Sequence, residues 1–162
     1  MSATKKRFDG VTLKMTSDAE YVSPISEALH ALCYSATGSE SCALNVQSAV
    51  VEALNNVILH AYGNQTGNEI VVHWSNENSC LRIEIIDYGR SMSSLPTAAL
   101  PPYDAENGRG WWIIRSCVDE YYYKVIEYIE RERIYRPEGE RTFSENISVK
   151  SYSNILTLIK QF

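Results

Sequence analysis

The sequence predicts a two-layer α/β sandwich of the α+β kind, with a mixed, mainly antiparallel sheet of about five strands and three helices on one face. Three observations predict it. Short runs that alternate or are rich in β-branched and aromatic residues recur along the chain. Two long segments and one short one carry apolar residues at helical spacing. A turn signal joins two of the strand runs directly, which makes that pair antiparallel.

The elements follow in order. Val11–Met15 alternates apolar and polar and reads as a first strand. Ser17 or Asp18 is placed to cap a helix with Glu20 in its first turn and Tyr21, Val22, Ile25, Ala28, Leu29 and Leu32 on one side. Pro24 falls early enough in it to be tolerated, and Gly38 ends it. A second helix is predicted from about Ser41 to Ala61, its apolar face made by Val46, Val50, Ala53, Leu54, Val57, Ile58 and Ala61. After the turn-rich Gly63–Asn68 come strands Glu69–Trp74 and Leu81–Ile86, joined by a hairpin turn at Asn76–Ser79. Leu81, Ile83 and Ile85 face one way. Residues 88 to 108, with Pro96, Pro101 and Pro102, read as a long binding loop or lid. A short helix runs from Trp111 to about Cys117, closed by Asp119-Glu120, and strands follow at Tyr121–Tyr128 and Ile155–Ile159. The polar stretch 129 to 153 is an extended hairpin arm or, second, a helical insertion.

A chain of 162 residues with 44% apolar content is most simply one domain with a real core. Its net charge of -5, without clustered Lys and Arg beyond Lys5-Lys6-Arg7, argues against a nucleic-acid face. Cys33, Cys42, Cys80 and Cys117 form no CxxC pair and are expected to pack as small hydrophobes. No apolar run reaches a membrane span and the first ten residues do not resemble a signal peptide, so the reading is a reduced, cytoplasmic protein without membrane contact.

Three stretches carry chemistry. Ser48, Glu52, Asn56 and His60, four apart, form a polar stripe on the second helix. A carboxylate there can accept a proton, and an amide oxygen can ligate a hard cation such as Mg²⁺. Asp87-x-Gly89 ends a strand, where an acceptor-only carboxylate suits the exocyclic amine of adenine and glycine lets the backbone approach a flat base. Gly108-Arg-Gly110 opens a helix, where backbone N–H groups and Arg109 are able to meet a phosphate. Taken singly, each also suits a solvated helix face or a simple turn. His60 and the Tyr121–Tyr123 cluster read better as structural residues than as ligands.

Together the three stretches resemble the sequence boxes of the ATPase/kinase superfamily of histidine kinases, gyrase B and Hsp90. Glu52-Ala-Leu-Asn-Asn56 with His60-Ala-Tyr62, Gly108-Arg-Gly-Trp-Trp112 and Asp119-Glu120 are most similar to the bacterial anti-sigma factor serine-protein kinases. The resemblance covers roughly residues 11 to 128 and the last strand. It implies a Bergerat-type ATP-binding fold with ATP and Mg²⁺. It implies Glu52 as general base and Asn56 as Mg²⁺ ligand. Asp87 would bind the adenine amine, and Gly89, Gly108, Arg109 and Gly110 would shape the nucleotide loops. It further implies a STAS-domain (anti-anti-sigma) substrate, a sequestered sigma factor and a homodimer.

Two rival readings stand beside it. One is a non-catalytic ATP-binding module acting by partner contact alone. The other, an isolated domain of a histidine-kinase pathway, is disfavoured because no phosphoacceptor-helix domain fits in the chain. The sequence departs from the family pattern where Ser91 replaces the second glycine of the Asp-x-Gly-x-Gly box and Ser153-Asn154 replaces Gly-Thr. A serine held at a glycine-type φ would loosen the adenine site, although its hydroxyl can donate. Asn154 is able to bridge to Asp87 by water.

Overall fold

The computed structural model describes residues 9–104, 108–129 and 150–162. Five strands, β1 (Val11–Thr16), β2 (Glu69–Glu77), β3 (Cys80–Asp87), β4 (Glu120–Ile129) and β5 (Lys150–Gln161), form one sheet in the order β1-β2-β3-β5-β4. Three helices, α1 (Val22–Thr37), α2 (Glu40–Asn56) and α3 (Gly110–Cys117), complete the second layer. The expected class holds, with one correction. Among the described residues every bonded strand pair is antiparallel, so the sheet there is not mixed. The crossover through α3 leaves β3 and β4 running the same way, but β5 lies between them and opposes both.

The strand alternation decides which side is buried. Ile70, Val72, Trp74, Leu81, Ile83, Ile85, Leu156 and Leu158 point to the helices and are buried. They meet Val22, Leu29 and Cys33 of α1, Ala43 to Leu54 of α2 and Ile114 of α3 in one core. Each fully buried Leu or Ile contributes roughly 1.5–3 kcal/mol relative to exposure. The opposite side carries Lys14, Arg82 and Tyr122, with the Arg82 guanidinium donating to the Tyr122 hydroxyl at 2.8 Å. The β2–β3 hairpin turns on Asn78 and Ser79, both at positive φ, as a two-residue turn of this hand requires.

The helix boundaries hold two surprises. Neither Ser17 nor Asp18 caps α1. Ser17 is buried and its hydroxyl donates to the Gln65 carbonyl at 2.6 Å and accepts from the Asn68 N–H at 3.0 Å, tying the end of β1 to the turn before β2. Asp18 instead precedes a single 3-10 turn, Ala19–Tyr21, and its carboxylate accepts from Thr16. The cap of α2 is Ser39, which accepts from the Cys42 N–H at 3.1 Å. The second surprise is that α2 ends at Asn56, and Val57–Ala61 form a wider π turn rather than more α-helix. Together Glu40–Ala61 are long and apolar enough to cross a membrane, but half of their most apolar 18 residues are buried inside the protein.

The last strand starts at Lys150, five residues earlier than expected, and pairs with β4 as far as Ile129. The remainder of the proposed arm or insertion, 130 to 149, lies outside the described residues. Cys33 and Cys42 are buried as expected and all four cysteines are free, but Cys80 and Cys117 are only half-buried. Burial pushes the Cys33 thiol up to about 11.

Candidate functional site

Helix α2 sets the first part of the site. Its apolar stripe is anchored on the sheet, so Glu52 and Asn56 project together from the edge of that stripe, half-buried and one turn apart. The first residue of α3 comes down onto them. A Cβ placed on Gly110 would lie 2.9 Å from Glu52 Oε2 and 3.7 Å from Asn56 Nδ2. The glycine therefore keeps open a space that carboxylate and amide both face. Asn56 Nδ2 is buried and has no hydrogen-bond partner among the described residues. Such a group ordinarily costs roughly 1–3 kcal/mol, so the fold keeps an unsatisfied amide at this spot. Glu52, Asn56 and Gly110 are thus brought together. Gly108 precedes them at φ 95°, in the region that favours glycine. Arg109, between the glycines, turns its guanidinium to the Tyr103 carbonyl in the long loop at 3.0 Å. No helix or strand forms in the described part of that loop, 88 to 104.

The π turn joins this cluster to the end of β3. Widening the helix lets the Tyr62 N–H reach the Val57 carbonyl at 3.1 Å, and the Ala61 carbonyl accepts instead from the Arg90 N–H at 2.9 Å. Tyr62 adds a second tie, its hydroxyl donating to the Glu69 carbonyl at 2.6 Å and accepting from the Tyr88 N–H at 2.9 Å. Gly89 is needed at this junction for a reason the sequence did not suggest. A Cβ there would sit 2.5 Å from the Ala61 oxygen, so the close approach is to the protein's own helix end. His60, on the π turn, is exposed, whereas Glu52 is half-buried.

Asp87 is the second centre. It is buried at the last position of β3, paired in register with Asn154 of β5. Burial pushes its carboxyl above the ordinary 3.8, while hydrogen bonds from Asn154 and from the Gly89 N–H pull it back. Asn154 Nδ2 donates to Asp87 Oδ1 directly at 2.8 Å, where a water bridge was expected. Ser91 is not among the residues with positive φ, so it brings no glycine-type strain. Its hydroxyl donates to Asn154 Oδ1 at 2.5 Å.

Tyr123 escaped the sequence reading. Its side chain packs against the core as a strand residue should, but its hydroxyl accepts from the Met92 N–H at 3.0 Å and contacts Ser91. Alternation along β4 places it on the helix side, and nothing else in the triple-tyrosine run marks it. Burial raises both Tyr62 and Tyr123, so their hydroxyls stay neutral and keep these bonds. Trp111 packs on Tyr121, with ring centroids 6.0 Å apart, while Trp112 is partly exposed.

Comparison with known proteins agrees with this architecture. A histidine kinase-like ATPase domain matches residues 15–129. The serine-protein kinase RsbW of Staphylococcus aureus is 28% identical over 151 aligned residues, covering 82% of this chain and 94% of that protein. RsbW of Bacillus cereus is 25% identical over 146 residues, covering 80% and 91%. The matched region runs from the last two residues of β1 to the end of β4 and holds all three helices, Glu52, Asn56, Asp87 and the Gly108–Gly110 loop; the chain belongs to the histidine kinase-like ATPase domain family.

Proposed function

We propose that the protein is an ATP-dependent serine-protein kinase that phosphorylates a STAS-domain anti-anti-sigma partner and otherwise holds a sigma factor inactive. The observation that carries this reading is the convergence of Glu52 Oε2 and the unsatisfied Asn56 amide on the space kept open by Gly110. Similarity to RsbW serine-protein kinases over most of both chains supports it.

In this reading Asp87 accepts a hydrogen bond from the adenine amine. The Gly108–Gly110 backbone and the start of α3 hold the phosphates. Asn56 would hold Mg²⁺ through its amide oxygen, since its Nδ2 has no hydrogen-bond partner among the described residues to fix the amide the other way round. The bound ion would neutralise charge on the phosphates during transfer. Glu52 accepts the proton of the substrate serine as its oxygen attacks. Arg109 links the phosphate loop to the lid through Tyr103. The same reading carries a cytoplasmic homodimer with no direct contact to nucleic acid or membrane.

The test is Glu52→Ala, with ATP affinity and phosphoserine on a STAS domain measured in parallel. ATP binding is expected to persist and phosphorylation to fall by at least a hundredfold, the scale of a lost general base. Unchanged phosphorylation removes Glu52 as the base. If the wild type binds ATP and the partners but transfers no phosphate, the non-catalytic module takes its place.

A further inference from the structure

Asn154 is fully buried, and all of its amide is engaged. Nδ2 donates to Asp87 Oδ1 at 2.8 Å and to the Gly89 carbonyl at 3.0 Å, and Oδ1 accepts from Ser91. The amide has one orientation. Turned over, its oxygen would face a carboxylate and a carbonyl, both acceptors. That orientation in turn requires the Ser91 hydroxyl to donate. The Tyr123 hydroxyl stands behind Ser91 and holds the next residue, Met92, by its N–H. The pair therefore has a fixed direction, from Ser91 through Asn154 to Asp87. At its end, Asn154 and the Gly89 N–H both donate to Oδ1 of Asp87. Oδ2 takes no hydrogen bond among the described residues.

We infer that Ser91 and Asn154 act as one positioning pair that pins Asp87 by Oδ1 and leaves Oδ2 to read the 6-amino group of a bound purine. This rests on the nucleotide-binding reading above. Two donors at fixed angles stop the carboxylate from rotating. The oxygen left over is purely an acceptor, so it attracts an amino group and repels a 6-oxo group. The Asn154 amide has no N–H left for a ring nitrogen, which makes the amino group the feature on which selectivity turns. Without Asn154 the carboxylate rotates about its bond to Cβ, loses a donor that favours the ionised form, and reads the base less sharply.

The experiment compares affinity for ATP and for inosine triphosphate, its 6-oxo analogue, by calorimetry with Mg²⁺. It uses the full chain as wild type, Ser91→Ala, Asn154→Ala and the double variant. The wild type is expected to prefer ATP by about tenfold or more, the scale of a charge-assisted hydrogen bond. Each single variant should cut that preference at least threefold and leave inosine triphosphate affinity within about twofold, since a coupled pair shifts only the read group. The double variant should be no worse than Asn154→Ala, because Ser91 works through Asn154. Equal losses for both nucleotides, additive losses, an unchanged preference, or a wild type without preference would each overturn the inference. Should Asn154→Ala fail to fold, Ser91→Ala, at a half-buried position, decides alone. A wild type that binds neither nucleotide removes the nucleotide reading itself.

Discussion

Replacing Gly110 by Ala tests whether the space between α2 and α3 is functional. Position 110 opens α3 and lies outside the positive-φ glycines. Alanine therefore suits the backbone there, and helix propensity favours it by up to about 1 kcal/mol. The new methyl would stand 2.9 Å from Glu52 Oε2. Comfortable contact needs about 3.5 Å, so the oxygen must retreat by roughly half an ångström or more. It sits at the free end of a half-buried side chain, and the retreat is cheap. The net change in stability should stay within about 1 kcal/mol, a shift in Tm of roughly 2–4 °C at most for a chain of this size. Function should respond differently. A base displaced by about 1 Å can lose on the order of a hundredfold in rate. Thermal melting, ATP affinity and the rate of serine phosphorylation, measured on one preparation, separate the two effects. A phosphorylation rate within about twofold of wild type would refute the reasoning, since Glu52 would then not act from this position. A Tm lowered by more than about 10 °C would show instead that the glycine is there for packing.

The other close-packed glycine should behave in the opposite way. Gly89→Ala drives a methyl to 2.5 Å from the Ala61 carbonyl, which is backbone and cannot step aside; a loss of about 1–3 kcal/mol in denaturant unfolding is expected, and an unchanged midpoint would contradict the contact. Asp87→Asn should weaken ATP about tenfold or more, while leaving the apo fold at neutral pH as stable as wild type or more so. Because burial raises the Asp87 carboxyl above 3.8, its contribution to apo stability is full below that value and is lost as pH rises through the folded pKa. ATP affinity carries the opposite sign and should begin to fall, on acidification, at a higher pH than an ordinary aspartate would set. Calorimetry across pH 4 to 8 reads both, and identical profiles for wild type and Asp87→Asn would exclude Asp87 from the site.

Much of this architecture was legible because it rests on periodicity. Leu81, Ile83 and Ile85 alternate in the sequence and are all buried on the helix side. The Glu52–Asn56 spacing puts both side chains where α3 meets them. What could not be read depends on contacts distant in sequence. The π turn carries an apolar pattern that continues the α-helical one, and the Arg90 N–H and Gly89 that meet its end are brought in by β3 from far along the chain. Ser17 has the composition of a cap, yet it bonds to residues 48 and 51 positions away. Asn154 and Ser91 looked like two separate departures from a family pattern. They are one hydrogen-bonded unit spanning 63 positions.

The position of β5 bears on how the protein is made. This strand is the last of the five in the chain, yet it occupies the slot between β3 and β4. While it is still within the ribosome, β2 and β3 can already pair as a hairpin and β1 can join β2 across the intervening helices, but β4 has no neighbour and Asp87 has no Asn154. The edge of β3 stays open over the same interval, a template for wrong pairing. A nascent chain therefore carries Glu52 and Asn56 on α2 before the Asp87–Asn154 end of the proposed site is assembled. Under the proposed function, nucleotide affinity should arise only after β4 has been made, in one step, when β5 inserts between β3 and β4.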